Sequence, residues 1–288
     1  MRDLILVVTC CNDLNIGKML SSVYKSNSNL SILIILVNQC NFDISKYSDS
    51  DYNVIYNINT DKLPLSKARN IGLQYIFNNE VKSSHIMFSD DDSIFDFQFF
   101  SNYLKFIENG KSYLVDVYCN NSFFFYKQNN IAEGKLLTDK HFENAISVNM
   151  VIDQLTFYQT GYFDERLGVG ALYGAGEDGD YYIRCCQYTG FYNTHCLYNF
   201  HPAPESKYSE MTLKQIIDKF TSYGRGVIFM LCKHRKYLSA LYSCFKAIGG
   251  CVISIFKLDY QKSIAYLLAF FARSLLFMSC VVNRSRYF

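Results

Sequence analysis

The sequence predicts an α/β protein with a mostly parallel central sheet, followed by a helical C-terminal region. The sheet is predicted because short apolar runs alternate with helix-like segments in the first 90 residues, and because several of these runs end in polar residues. The helical region is predicted because two long apolar stretches lie near the end of the chain. With 288 residues, half of them hydrophobic, the chain has ample material for a large core.

Four apolar runs in the first 90 residues have the composition of buried strands. They cover residues 4–9, 31–37, 53–58 and 85–89. Helix-like segments lie between them, at residues 16–26 and from Ser66, the expected N-cap, through Ile76. Further strand-like segments lie near residues 122–127, 145–151 and 196–200. In a parallel sheet of this kind, ligands bind beyond the carboxyl ends of the strands.

Three consecutive carboxylates, Asp90–Asp92, follow the fourth of these strands. Adjacent carboxylates repel one another, so their clustering at a sheet edge indicates a counter-charge. A hard divalent cation such as Mg²⁺ or Mn²⁺ prefers oxygen ligands and often bridges to substrate phosphates. Taken alone, the triplet is equally compatible with a solvated turn that caps the next helix.

A second acidic cluster follows the glycine-rich segment 168–176, which is typical either of a mobile lid or of an ordinary connection. The segment leads into a predicted helix that begins at Glu177. Asp180 has Arg184 one turn later as a partner, whereas Asp178 has no cation at helical spacing. We therefore take Asp178, with Glu177 beside it, as the candidate general base. The alternative is that Asp178 only caps the helix.

His201 follows the predicted strand at residues 196–200 and precedes Pro202. A neutral imidazole at this position could complete a metal site together with the Asp90–Asp92 cluster. An isolated histidine is more often structural, so the spacing by itself leaves both roles open.

The charge of the chain is unevenly distributed. From Arg225 onward there are ten Lys/Arg and one acid, a net charge of +9, against −7 in the preceding residues. An acidic body with a basic apolar tail suits an enzyme on an anionic membrane and not a nucleic-acid binder. The eleven cysteines lack the paired spacing of a metal site, and the N-terminus has no secretory signal pattern. We therefore expect reduced thiols and a cytoplasmic protein.

Six segments together resemble the motifs of bacterial family 2 glycosyltransferases of the GT-A fold, the kind found in capsular and surface polysaccharide pathways. In chain order they are Leu65–Leu73, Phe88–Asp92, Gly161–Gly170, Gly176–Tyr181 with Arg184, His201-Pro202 and Tyr223–Gly226. The resemblance covers roughly residues 4–235. It implies a Rossmann-like, nucleotide-sugar-binding catalytic domain over residues 1–235. Residues 236–288 then form a separate helical, membrane-associating region.

The resemblance also implies roles for individual residues. Asp90 and Asp92 resemble the DxD motif, which holds Mn²⁺ or Mg²⁺ against the donor diphosphate, and His201 matches an additional metal ligand of some members. Asp178 matches the base of inverting members. Nucleotide-proximal positions match Thr9, Asn38, Arg69, Asp90 and Asp91. Many relatives have Asp in place of Asn38, but an Asn oxygen still accepts a hydrogen bond, and we expect a UDP-sugar donor.

These roles imply an inverting transfer of a sugar from a nucleotide-sugar donor to a hydroxyl of a lipid-linked or growing oligosaccharide. The metal neutralises the leaving diphosphate while one base deprotonates the acceptor, so a single displacement suffices. Two alternatives stay open. One is a sugar nucleotidyltransferase, which also uses a carboxylate-bound metal, and the other is a non-catalytic partner subunit of a polysaccharide assembly complex.

The two apolar segments near the C-terminus, residues 238–256 and 264–282, contain one charge each, Lys246 and Arg273. Each would span about 30 Å as a helix, but an arginine at mid-bilayer costs about 3 kcal/mol. Because basic residues flank both segments, we expect in-plane helices on the anionic inner leaflet of the cell membrane. Removal of the tail would then increase solubility. A re-entrant hairpin, a packed subdomain and a homodimer interface are the alternatives.

Overall fold

The computed structural model describes residues 2–27, 29–47, 49–119, 130–202 and 211–288, so the strand expected near 122–127 lies outside the described residues. The chain divides into two compact units. The first comprises Met1–Leu63, Lys67–Phe163 and Tyr181–Pro204, and the second comprises Pro64–Ser66, Asp164–Asp180 and Glu205–Phe288. The functional division after residue 235 stays a prediction.

The first unit is built on a sheet that has eight strands within the described ranges. They are β1 (Arg2–Cys10), β2 (Ile32–Asn38), β3 (Asn53–Asn59), β4 (Ser83–Asp90), β5 (Ser112–Cys119), β6 (Leu136–Leu137), β7 (Met150–Asp153) and β8 (Phe191–His201). Their spatial order is β3-β2-β1-β4-β7-β5-β8-β6. The pairs β3–β2, β2–β1, β1–β4 and β5–β8 are parallel, while β7 runs antiparallel to β4 and β5. The expected α/β fold with a mostly parallel sheet is confirmed.

Helices cover both faces of this sheet. They are α1 (Asp13–Ser26), α2 (Leu65–Asn78), α3 (Phe97–Phe106), α4 (Gln154–Thr160) and α5 (Glu177–Cys185). On one face, Ile16 and Leu20 of α1 belong to the same core cluster as Leu4, Leu6 and Ile34. On the other face, Gly72 of α2 lies against Val7 and Val37. Burial on both faces explains why β1 and β2 are continuous apolar runs without alternation.

The start of α2 differs from the expectation. Ser66 lies inside the first turn of this helix and does not cap it. Its hydroxyl donates a hydrogen bond of 2.6 Å to the carbonyl of Leu167, 101 residues away in the chain. The assignment of Ser66 as an N-cap is therefore wrong, because a local pattern cannot reveal a partner at such a separation.

The second unit contains four helices in the part of the chain that is described beyond residue 210. They are α6 (Leu213–Lys233), α7 (Tyr237–Phe256), α8 (Tyr260–Val282) and α9 (Arg284–Tyr287). Helix α8 packs along both α6 and α7. The two apolar segments predicted to be helical correspond to α7 and α8. By length and composition, both are long and apolar enough to cross a membrane.

Candidate functional site

The carboxyl ends of neighbouring strands bring several of the predicted site residues to one edge of the sheet. Thr9 of β1 is paired in register with Asp90 of β4, and Cys10 is paired with Asn38 of β2. His201 is the last residue of β8, paired with Cys119 of β5. The parallel topology therefore places polar residues from distant parts of the sequence at the edge where α/β sheets bind ligands.

Asp90, Asp92 and His201 form a compact group that could hold a metal ion. Their potential ligand atoms all lie within 4.8 Å of one another. His201 Nε2 lies 3.1 Å from Asp92 Oδ1 and 3.6 Å from Asp90 Oδ2. His201 Nδ1 can donate to the Pro202 carbonyl at 3.1 Å, which leaves the Nε2 lone pair for a metal. Two carboxylates and one imidazole form a donor set that can hold a divalent metal ion.

The electrostatics of this group favour ionised carboxylates. Burial raises the pKa of Asp90, but hydrogen bonds and charges from His201 and Arg69 outweigh burial and lower it to about 2. Burial lowers the pKa of His201, but its contacts with Asp90 and Asp92 prevail and raise it to about 9. Without a metal, a proton on His201 thus compensates part of the negative charge. A bound divalent cation would replace that proton.

Arg69 stabilises this group of side chains through an ion pair with Asp90. Its side chain is 2% exposed, and it donates hydrogen bonds to Asp90 Oδ1 at 3.0 Å and to Ser147 Oγ at 2.7 Å. The guanidinium also lies over the Phe163 ring, 5.4 Å from its centroid. Ser147, 78 residues further along the chain, was not identified from the sequence, which holds no local signal for it. The nucleotide-proximal role of Arg69 stays a prediction.

Asp91 connects the ends of β4 and β1. Its Oδ2 atom accepts hydrogen bonds from the backbone N–H groups of Cys11, at 2.9 Å, and Asn12, at 3.1 Å. Burial is the main reason why the pKa of Asp91 is raised, with further contributions from the charges of Asp92 and Asp90. Asp91 therefore shapes the loop after β1, in addition to any contact with a nucleotide.

Asn38 is fully buried and its amide is used within its own loop. Its oxygen accepts a hydrogen bond of 3.0 Å from the Phe42 N–H, and its nitrogen donates one of 2.9 Å to the Phe42 carbonyl. Thr9 is also buried, at 6% exposure. The nucleotide contacts expected for Thr9 and Asn38 stay predictions, and the structure gives Asn38 a role in shaping residues 38–42.

The second acidic cluster lies in the second unit, at the start of α5. Glu177 and Asp178 occupy the first turn of this helix, with Glu177 buried and Asp178 partly exposed. Asp180, one turn later, is fully buried and accepts contacts from Lys233 Nζ at 2.7 Å and His234 Nε2 at 2.8 Å. The sequence pointed to Arg184 as the partner of Asp180 and missed Lys233 and His234, because they lie 53 and 54 positions away along the chain.

The glycine-rich segment ahead of α5 packs closely against α6. Gly176 has a φ of +94°, and a β-carbon there would lie 2.9 Å from the carbonyl oxygen of Gly226. In turn, a β-carbon at Gly226 would collide with the backbone of Ala175. The sequence left two interpretations of this segment open, a mobile lid and an ordinary connection. The close packing explains Gly176 as part of an ordinary, tightly packed connection, and it explains Gly226 as the residue of α6 that this connection lies against.

Comparison with known families decides the identity of the chain. Residues 5–167, more than half of the sequence, match the family model described as glycosyl transferase family 2.

The chain belongs to glycosyl transferase family 2.

The matched residues include Thr9, Asn38, Arg69 and Asp90–Asp92, and end before the acidic cluster of α5.

Several solved structures have the same fold as this family 2 chain. S. aureus TarS residues 1–349 share 10% identity with a TM-score of 0.55, over 93% of this chain and 90% of that one. The same TarS fragment in complex with UDP-GlcNAc shares 11% identity with a TM-score of 0.52, over 98% of this chain and 92% of that one. GalNAc-T7 with UDP, GalNAc and Mn²⁺ shares 11% identity with a TM-score of 0.51, over 80% of this chain and 48% of that one. Identities this low show the GT-A fold alone. A search of curated proteins gives no significant match.

Proposed function

We propose that this family 2 chain is an inverting, metal-dependent glycosyltransferase that uses a UDP-sugar donor. The observation that carries the proposal is the group of Asp90, Asp92 and His201, whose ligand atoms lie within 4.8 Å of one another at the carboxyl edge of the sheet. The fold neighbours solved with UDP-GlcNAc, or with UDP, GalNAc and Mn²⁺, support the donor class and the use of a divalent metal.

On the donor side, Asp90, Asp92 and His201 would hold Mn²⁺ or Mg²⁺. Such an ion neutralises the charge that develops on the leaving diphosphate. Together with His201, Arg69 keeps Asp90 ionised, because it forms a partly buried ion pair with that carboxylate. We assign the nucleotide end of the donor to Thr9, Asn38, Arg69, Asp90 and Asp91.

On the acceptor side, Asp178 is the proposed base, with Glu177 beside it. Both lie in the first turn of α5, where the helix dipole favours a negative charge. Asp178 is the less buried of the two and is the better placed to accept a proton from an acceptor hydroxyl. One base and one leaving diphosphate are sufficient for a single displacement, so the configuration at the anomeric carbon inverts.

We further propose that the acceptor is a hydroxyl of a lipid-linked or growing glycan in surface polysaccharide synthesis. The catalytic domain would be residues 1–235, and the protein would act at the cytoplasmic face of the cell membrane. The apolar helices α7 and α8 support this location. A homodimer built on the C-terminal region, residues 236–288, is the alternative to this membrane location.

The test is a donor panel with purified protein. UDP-, GDP- and dTDP-sugars are incubated with Mn²⁺, Mg²⁺ or EDTA, with and without polyprenyl-linked acceptors, and released nucleotide is measured. We expect metal-dependent release from a UDP-sugar, its loss in Asp92→Ala, and its retention in the matched control Asp51→Ala on an exposed loop. Release of pyrophosphate from a nucleoside triphosphate and a sugar phosphate would instead indicate a nucleotidyltransferase. Inactivity with every donor would indicate a non-catalytic partner subunit.

A further inference from the structure

The hairpin formed by α7 and α8 exposes its large apolar side chains. Only 22% of the most apolar window of each helix is buried. Leu238 is 85% exposed and Phe256 is 84% exposed on α7, and Leu275 is 73% exposed on α8. In α7 the exposed residues recur at Leu238, Leu241, Tyr242, Phe245 and Ile248, which is the spacing of one helical face. Each helix therefore presents a stripe of large apolar side chains to its surroundings.

The buried positions of the same helices are small residues, with the single exception of Leu276. In α7 they are Ala240, Cys244, Ala247 and Ser254, and in α8 they are Ser263, Ala265, Ala269, Leu276 and Cys280. A water-soluble helix buries large apolar residues and exposes polar ones. Helices in lipid typically show the opposite: small residues lie where the helices contact each other, and large apolar residues face outward. The hairpin has the second arrangement.

The central charge of α8 does not interrupt the exposed face. The Arg273 side chain lies against Gly224 of α6 and donates a hydrogen bond of 2.7 Å to the carbonyl of Ser243 on α7. The cost of placing this arginine in hydrocarbon, which the sequence suggested, therefore does not arise. The exposed stripe of α8 consists of apolar residues such as Phe271, Leu275 and Met278.

Cations lie beside this apolar surface. Arg235 precedes α7, Lys246 lies within it and Lys257 follows it, and all three are exposed. They belong to the C-terminal stretch from Arg225 that carries a net charge of +9. Such a surface complements a bilayer with anionic headgroups, since each basic residue near the surface contributes about 1 kcal/mol of attraction. Two copies facing each other through it would bring two strongly cationic regions together.

We propose that the outward surface of the α7–α8 hairpin binds in the plane of an anionic membrane. Its apolar stripes would enter to a depth of about 5–10 Å, with the cations at the headgroups. A spanning orientation is disfavoured because α8 packs along α6, which carries Lys214, Asp218 and Lys219 and would be drawn into the hydrocarbon. This inference rests on the membrane location in the proposed function, which it makes specific, and it does not depend on sugar transfer.

Co-sedimentation with vesicles tests the proposed partner. The full chain should bind phosphatidylcholine vesicles that contain phosphatidylglycerol, and bind pure phosphatidylcholine more weakly. Phe245→Glu/Phe271→Glu, at exposed positions, should weaken binding by about tenfold or more. The control Leu155→Glu changes a similarly exposed apolar residue of α4 in the first unit, and it should bind like the wild type. Asp92→Ala should also bind normally, so failure of the catalytic proposal is distinguishable from failure of this one.

The orientation can be measured because the chain has no tryptophan. Single tryptophans are introduced as Leu238→Trp, Phe256→Trp and Phe271→Trp, with Leu155→Trp as the control. Quenching of their fluorescence by lipids brominated at known positions reports the depth of each residue in the bilayer. We expect shallow, similar quenching at both ends of α7 and at residue 271, and none at residue 155. Deep quenching at residue 271, with shallow quenching at both ends of α7, would indicate a spanning hairpin and overturn the in-plane orientation. A discrete dimer that ignores vesicles and dissociates in Phe245→Glu/Phe271→Glu would overturn the membrane as partner.

Discussion

Asp92 and Asp178 are expected to contribute to different steps of the proposed reaction. Asp92→Ala removes a potential metal ligand, so metal-dependent binding of the donor nucleotide and turnover should fall together. Asp178→Asn keeps the shape of the side chain but removes the base. Donor binding should survive while turnover falls by about 10²–10⁴-fold. Calorimetric titration with UDP and Mn²⁺, beside steady-state kinetics, measures both quantities.

The opposite pattern would reject these assignments. If Asp178→Asn abolished metal-dependent nucleotide binding while the fold stayed intact by circular dichroism, Asp178 would be a donor or metal contact. If Asp92→Ala bound the nucleotide and metal as tightly as the wild type, the proposed metal site at Asp90, Asp92 and His201 would be misassigned.

His195 provides a prediction about pH and stability. Its Nδ1 lies 2.8 Å from Asp116 Oδ2 and its Nε2 lies 2.7 Å from the Ile131 carbonyl, so both ring nitrogens face acceptors. Burial lowers the pKa of His195, but these hydrogen bonds and the charge of Asp116 prevail and raise it. A folded-state pKa above the unfolded value stabilises the protein fully at low pH. This contribution is lost as pH rises through the folded-state pKa.

The measurement is urea unfolding from pH 6 to pH 9 for the wild type and His195→Gln. The difference in free energy of unfolding between the two should be largest at the acidic end and shrink as pH rises. Because both proteins contain the other titrating groups, such as His201, the contributions of those groups to the free energy of unfolding cancel in this difference. A difference that is independent of pH would show that His195 is not charged in the folded protein.

At the scale of elements, the contact between α6 and the segment before α5 is the most sensitive to substitution. A β-carbon at Gly226 would collide with the backbone of Ala175, and that segment leads directly into Glu177 and Asp178. Gly226→Ala should therefore destabilise the protein, by about 1–3 kcal/mol, and reduce turnover by displacing the start of α5. Thermal unfolding and initial rates measure the two effects.

Gly249→Ala is the matched control for this substitution. Gly249 lies inside α7, and a β-carbon there would meet no atom within 4 Å. The same change of residue should stabilise the helix by about 1 kcal/mol, since alanine has the higher helix propensity. Equal effects at positions 226 and 249 would contradict the steric explanation.

At the scale of the whole molecule, the C-terminal helices are part of a packed unit. Phe220 of α6 lies 4.7 Å from Tyr266 of α8 between ring centroids, and Arg273 lies against Gly224. Composition suggested that a chain ending at Lys236 would be more soluble. The packing opposes this gain, because removal of α7 and α8 also exposes the apolar face of α6. Light scattering of the shortened and full-length chains in detergent micelles compares their aggregation.

Much of this molecule follows from local patterns in the sequence. The buried strands of a parallel sheet are continuous apolar runs, so β1, β2 and β4 could be predicted with ends close to those observed. Because such strands all end at one edge, Asp90, Asp92 and His201 could be predicted to meet there, and they do. The two apolar C-terminal helices were predictable in the same way from their composition.

Only the tertiary structure decided which partner each polar residue has. Arg69 binds Ser147 across 78 positions, and the hydroxyl of Ser66 binds Leu167 across 101. The sequence alone could not reveal that Arg273 faces the other helices, and therefore could not show that the outer surface of the hairpin is free of its charge. Periodicity depends on a residue's immediate neighbours in the chain, whereas a buried hydrogen bond depends on which distant segments the packed fold brings together.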